Sequence, residues 1–233
     1  MKKIKSIRCF AVMAIIFIVL SGVVGCSSAP KTEDSSDKKA EDIYYFILTP
    51  KSVETVSDED IESDIENLRS RLDENGYTEA TITRQDNGLR VEIPAIDNPD
   101  EVMELIGDQG ELQFRDSKGN VKVRGEHVKD ARFGYDENGD PTVYLEFTSE
   151  GATLFASATK AIAAKEDGVE NKLSIYLGDR LISSPTVSAE IPNGQATITG
   201  IDSIDIAKTI ASIIRTGPLK TGFLIVEQGE SKI

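Results

Sequence analysis

Apolar side chains fall into a helical rhythm between Asp58 and Asn75, where Ile61, Ile65, Leu68 and Leu72 make one stripe. Ser57 can cap this helix, with Asp60 at its third position in a near capping box. Asn75-Gly76 ends it. Upstream, Ile43 to Thr49 reads as a strand. Downstream, Glu79 to Arg84 and Leu89 to Pro94 read as two strands joined at Asn87-Gly88, a strong tight-hairpin signal. A second helix starts at Asn98-Pro99, with proline at its first position and Glu101 at its third. It turns Val102, Leu105 and Ile106 inward and stops at Gly107. The strand expected from Glu111 to Arg115 then gives the order β-α-β-β-α-β.

That order predicts an α+β fold with a ferredoxin-like βαββαβ base. Beyond Gly119 the pattern changes. Val128 to Tyr135 and Thr142 to Phe147 read as strands around Asp136-Glu137-Asn138-Gly139-Asp140. A helix from Ser149 to Ala164 carries Leu154, Phe155, Ala158 and Ile162 inward. Strand candidates follow at Lys172 to Leu177, Arg180 to Ser188 and Ala196 to Thr199, with a turn at Asn193-Gly194. A last helix, Ile204 to Arg215, has Ile206, Ile210 and Ile213 on one face and closes at Gly217-Pro218. Gly222 to Val226 can be a final strand. These elements predict a second α+β module, with no internal repeat between the halves.

The amino terminus bears on the compartment. Lys2 to Arg8 is basic, Phe10 to Leu20 is apolar, and Val23-Val24-Gly25-Cys26 follows. A basic start, a short apolar run and a small residue before the cut describe a secretory signal. Val-Val-Gly-Cys resembles the bacterial lipobox, which predicts cleavage between Gly25 and Cys26 and lipidation of Cys26. The 16 residues from Phe10 to Gly25 include Ser21 and Gly22 and are short for a span of about 20 apolar residues. Residues 1–25 are thus expected to be a lipoprotein signal peptide. Residues 26–42, almost without apolar side chains after Cys26, are expected to be a disordered tether. The predicted location is the extracytoplasmic face of a bacterial membrane, held by lipid.

Charge narrows the partners. The 233 residues hold 26 Lys and Arg against 40 Asp and Glu, a formal −14. Four of those basic residues, Lys2, Lys3, Lys5 and Arg8, lie in the first 25, so their removal leaves 22 against 40, or −18. Such a surface repels nucleic acid and anionic headgroups. With Cys9 in the signal and Cys26 lipidated, no thiol is left for a disulfide.

Candidate chemistry is sparse. His127 is the only histidine and sits in a charged stretch, Arg124 to Asp130, with no nucleophile elbow anywhere; it reads as a surface or loop side chain. No zinc-ligand set or phosphate loop is present. Asp136 to Asp140 imitates the opening of an EF-hand loop, but Pro141 stands where glycine belongs and Phe147 where the bidentate glutamate belongs. A hairpin turn is the better reading. Asp58, Glu59 and Asp60 sit at a helix start, where acids favour the dipole. No catalytic residue, metal site or cofactor is expected, and ligand-binding residues are not assignable.

Several runs nevertheless carry a family resemblance. Leu68-Arg69-Ser70-Arg71-Leu72-Asp73-Glu74-Asn75-Gly76, Thr83-Arg84-Gln85, Arg90-Val91-Glu92-Ile93-Pro94, Glu104-Leu105-Ile106-Gly107 and Glu111-Leu112-Gln113-Phe114-Arg115 resemble the first periplasmic domain of SecD, a membrane subunit of bacterial protein export. Val128 to Arg132, Thr148 to Phe155, Leu181 to Pro185 and Ile213 to Leu219 resemble the head of that domain, in the family's order. The likeness runs from about residue 44 to residue 228.

It implies a base of residues 43–116 plus about 219–228, and a head subdomain of residues 117–218. The strand at Phe223 to Val226 would return to the base. Two departures stand out. A lipoprotein signal replaces the family's first membrane helix, and the family's glycine-rich stretch before the first strand is not evident near Ile43. The chain also reaches Ile233 without a further span, so no proton coupling of its own is expected.

Two functional readings remain open. One is an export accessory whose partners are unfolded secreted polypeptides or translocon subunits. The other is a repurposed binding lipoprotein with an unrelated envelope ligand.

Overall fold

The computed structural model describes residues 42–52, 56–86, 88–107, 109–165 and 170–231. Gly25, Cys26 and nearly all of the expected tether lie outside the described residues. Among those described, no helix is long and apolar enough to cross a membrane.

The first sheet is built from β1 (Ile43–Pro50), β2 (Thr81–Gln85), β3 (Gly88–Pro94) and a strand from the far end of the chain, β11 (Phe223–Ser231). Its order is β11-β1-β3-β2, and every neighbouring pair is antiparallel. Helices α1 (Asp58–Glu74) and α2 (Pro99–Gly107) supply the rest of its core. Alternation explains the face that is covered: Phe46 and Leu48 of β1, and Leu89, Val91 and Ile93 of β3, are fully buried. Leu68 and Leu72 of α1 and Val102, Leu105 and Ile106 of α2 join them in one cluster with Phe223. As the sequence indicates, Ser57 caps α1, its hydroxyl accepting from the Asp60 N–H at 3.1 Å.

The strand expected at Glu111 to Arg115 as the sixth element of the base is found at β4 (Leu112–Asp116), but not in that sheet. It pairs with β5 (Val121–Arg124) on one side and β8 (Leu173–Leu177) on the other, and β9 (Arg180–Ser183) extends the sheet. The physical reason is its burial. Leu112, Phe114 and the polar Gln113 and Asp116 are all buried, and the Phe114 ring lies 5.7 Å from Phe147 and 5.5 Å from Phe155. This strand belongs in a core that the base does not contain. Its expected place beside β1 is held by β11, in register from Ile43 opposite Ser231 to Pro50 opposite Phe223.

The third sheet has the order β10-β7-β6, from β6 (Val128–Tyr135), β7 (Pro141–Phe147) and β10 (Gln195–Ile198). Helix α3 (Ser149–Ala163) adds Phe155 and Ile162 to the second core. Helix α4 (Ile204–Thr216) packs against β6 and β7 with Ala207, Ile210, Ala211 and Ile214, and also meets α1 and α2 of the base. The two hydrophobic clusters are distinct, so the fold has two lobes joined at residues 107–111 and 217–222. β9 stops before the expected Ser188, since Pro185 lacks an N–H for a ladder; Lys172 and Thr186 keep a single bridge.

Candidate functional site

Two charged residues sit inside the apolar stripe of α1. Asp64 and Arg71 are both fully buried, between the leucines and isoleucines that face the base core. Burial of a charge is tolerated only where its hydrogen bonds are replaced. Both side chains replace them across the junction between the lobes. The Asp64 carboxylate accepts the N–H groups of Lys220 at 2.7 Å and Thr221 at 2.8 Å. Arg71 donates from Nε to the Thr216 hydroxyl at 3.1 Å, from Nη1 to the Leu105 carbonyl at 3.0 Å and from Nη2 to the Gly217 carbonyl at 2.8 Å. The guanidinium therefore reaches the carboxyl ends of α2 and α4 together, where helix dipoles favour positive charge.

A second ring of contacts surrounds this buried pair. Arg215 at the end of α4 is bidentate to Glu74 of α1, at 3.2 and 2.6 Å, and donates to the Ala131 carbonyl on β6. Arg180 at the start of β9 bridges to Glu104 of α2 at 2.9 Å. Gly110 carries the crossing between them at φ +79°, and a Cβ there would lie 2.5 Å from Nη2 of Arg71 and 2.8 Å from the Gly217 carbonyl.

Two clefts flank the junction. One of about 550 Å³ runs between α2 and the β8–β9 turn, lined by Lys51, Met103, Glu104, Gln109, Asp179 and Arg180 among others. The other, of about 330 Å³, lies between the two crossings and is lined by Leu112, Arg124, Val128, Ile214, Arg215 and Pro218 among others. Both walls mix charge with apolar surface, a lining suited to adaptable contacts more than to a single small ligand. Outside the clefts, Phe133, Tyr135 and Tyr144 expose rings on the β6–β7 hairpin, and Leu224 and Val226 expose aliphatic side chains on β11.

The residues singled out from sequence have structural roles here. His127 ends the 3₁₀ turn Gly125–His127 and is half-buried. Its Nδ1 accepts the Arg124 N–H at 3.3 Å, and its carbonyl accepts the Thr148 N–H at 2.9 Å. The approach of α3 is so close that a Cβ on Gly151 would lie 2.3 Å from that carbonyl. Asp136 to Asp140 makes the β6–β7 turn. One Asp136 oxygen accepts the N–H groups of Asn138 at 2.8 Å and Asp140 at 2.9 Å, with Gly139 at φ +86°. The bond from the Asp140 amide leads in holding the Asp136 carboxyl below its ordinary pKa. Asp58 pairs with Arg84 at 2.8 Å, and Asp60 receives the Ser57 hydroxyl.

Two further groups have shifted acidity. Burial, reinforced by Glu101, pushes the Tyr77 hydroxyl up to about 12. Burial works against the Asp116 carboxylate, but bonds from Asn120, Lys122 and the Asn120 and Lys118 amides outweigh it and hold its pKa well below the usual range. Among the described residues, no three His, Cys, Asp or Glu side chains gather in a way that could hold a metal ion.

Residues 61–119 match the family described as Protein translocase subunit SecDF, P1 domain, N-terminal. The protein translocase subunit SecD of Dictyoglomus turgidum is 32% identical over 173 residues, covering 74% of this chain and 42% of that protein. That of Acidaminococcus fermentans is 32% identical over 180 residues, covering 77% and 41%. The chain thus spans about two fifths of the length of these curated relatives. A crystal structure of SecDF in a super-membrane-facing form superposes with a TM-score of 0.67 at 25% identity, covering 82% of this chain and 30% of that one. A second solved structure, of SecDF as a membrane component that enhances protein export, gives 0.61 at 25% identity, covering 78% and 98%. Residues 101–221, more than half of the sequence, match SecDF, P1 head subdomain, and the chain belongs to the SecDF P1 domain family.

Proposed function

We propose that this chain is an extracytoplasmic accessory of Sec-type protein export, tethered to the membrane by lipid on Cys26, which binds emerging polypeptide or the translocon and catalyses nothing. The observation that carries the reading is the match of both lobes, in order, to the P1 family, together with the structural likeness to a SecDF described as enhancing protein export. The chemistry of the described surface supports it. The clefts and exposed rings offer contact area, and the junction residues are engaged with one another rather than aimed at a reacting centre.

An acidic surface attracts basic client segments over a range set by ionic strength, about 10 Å at 0.1 M and about 3 Å at 1 M salt. Any assistance is passive in this reading: a chain is captured and its backsliding slowed. The test is to titrate the full chain against unfolded secretory polypeptides at two ionic strengths, alongside crosslinking in cells. Binding that weakens with salt, and crosslinks to translocon subunits, are expected. Absence of both would overturn the export reading in favour of an unrelated envelope ligand.

A further inference from the structure

We infer that the outer edge of β11 is a docking rail for an extended polypeptide segment that carries apolar and basic side chains on the same face. The inference rests on the export-accessory reading and assigns it a surface. It starts from how the sheet edges differ. A free edge presents unpaired N–H and C=O groups and invites another strand unless something blunts it. β6 ends the third sheet, but its own neighbours occupy it. The Ala131 N–H donates to Asp130 at 2.9 Å, the Ala131 carbonyl accepts Arg215, and the Tyr135 carbonyl accepts the Tyr144 hydroxyl at 2.8 Å. β5, β9 and β10 are four residues each and β2 is five.

β11 is nine residues long and lies at the end of its sheet, paired only with β1 among the described strands. It contains neither proline nor lysine, the residues that most often guard an edge. Leu224 and Val226 expose 52% and 60% of their surface there. Leu224 stands opposite Thr49 and Glu227 opposite Ile47, and the ladder shifts register between them. An added strand would meet Leu224 and then Glu227 on one face, since Thr49 and Ile47 opposite them are two residues apart in β1, while Glu230, opposite Tyr44, is exposed on the other face. The Glu227 carboxylate is held in place by the Tyr45 hydroxyl at 2.8 Å.

Charge selects the occupant. Pairing β11 with β11 of a second copy would bring Glu227 and Glu230 toward their counterparts in a chain whose formal charge is −14. A segment with Lys or Arg two residues from an apolar side chain, and so on the same face, answers both features. Its main chain supplies affinity through ladder hydrogen bonds and its side chains supply selectivity, as in other strand additions.

The experiment uses the full chain with two synthetic octapeptides, Thr-Val-Thr-Val-Thr-Lys-Thr-Lys and the same sequence with Glu in place of Lys, called the Val–Lys and Val–Glu peptides. Hydrogen exchange is followed with and without peptide. The Val–Lys peptide is expected to protect amides within residues 223–229, and the Val–Glu peptide is not. Leu224→Lys with Val226→Lys, both at exposed positions, should weaken Val–Lys binding about tenfold or more, equivalent to about 1.4 kcal/mol. Ser157→Lys, at an exposed position on α3 of the head, should leave it unchanged. Unaltered affinity in the double variant, or protection confined to the β6–β7 hairpin, would overturn the edge assignment while leaving the export reading intact. No binding of the octapeptide, with unfolded secretory polypeptides still bound, would do the same. Protection of residues 223–229 that rises with protein concentration alone would overturn it in favour of self-association.

Discussion

Arg71 of the base donates to the carbonyl of Gly217 at 2.8 Å, closing the last turn of α4 from outside the lobe whose core α4 builds. The same guanidinium reaches the end of α2 through Leu105. Replacing it with alanine strips three polar groups of their donor inside a closed junction. Arg71→Ala is expected to lower stability by about 2–4 kcal/mol. Arg71→Lys should recover less than half of that, because an ammonium on a flexible stem cannot copy the planar fork that serves three acceptors. Urea unfolding followed at two probes, one in each lobe, measures both values. Full recovery by lysine would show that charge alone holds the junction.

Asp116 gives the head a defined acid sensitivity. Its carboxylate closes the β4–β5 turn, accepting the Lys118 and Asn120 N–H groups at 2.9 Å each and pairing with Lys122 at 2.9 Å. The folded pKa lies below the unfolded value, which is near 3.9 for aspartate. Such a group adds stability that is fully present above the unfolded pKa and is lost as pH falls through the folded one. Stability should therefore decline below about pH 4 partly on its account. Asp116→Asn should cost about 1–2 kcal/mol at pH 7 and flatten the decline from pH 4 to pH 2. Parallel denaturation curves for the variant and the parent across that range would refute the assignment.

These two side chains also show how far the sequence could be read. The stripe of α1, its serine cap, the turn at Asp136–Asp140 and α4 are local patterns of period and capping, and they are legible residue by residue; Asn87 of the expected Asn87-Gly88 turn lies outside the described residues, and Gly88 already belongs to β3, opposite Gln85. Asp64 and Arg71 carried a signal that the stripe alone did not use: each is a charged residue lying between apolar positions on the inward face. The sheet partner of Leu112–Asp116 was not legible. Alternation marks a strand without naming its neighbour, and following α2 directly made the base look like its home. Val121–Arg124 is not legible because four residues, with Lys122 and Arg124 alternating with the valines, are too few for a period. The clefts could not be read at all, since both arise only when two lobes meet.

Anchoring is testable apart from the fold. Cys26 follows Gly25 after a short apolar run, and acyl chains stabilise membrane attachment by about 0.8 kcal/mol per buried CH₂, so two or more on one residue suffice. Cys26→Ser is expected to release the protein from membranes or leave an unprocessed precursor. Metabolic labelling with a fatty acid checks this. Parent protein that takes no label and retains its first 25 residues would rule the anchor out.

The pairing of β1 with β11 has a consequence for the order of assembly. Tyr45 and Glu227, joined at 2.8 Å, are 182 residues apart in sequence. The base opens with the first strand and is sealed by one of the last, with the whole head synthesised between them. Until Phe223–Ser231 has been made, β1 is an edge, with Phe46 and Leu48 beside an unfilled place in the sheet. The head needs no such wait, because β4 to β10, α3 and α4 all precede that strand. A nascent or truncated chain would thus carry a finished head on an unfinished base, with unpaired backbone along one side of β1.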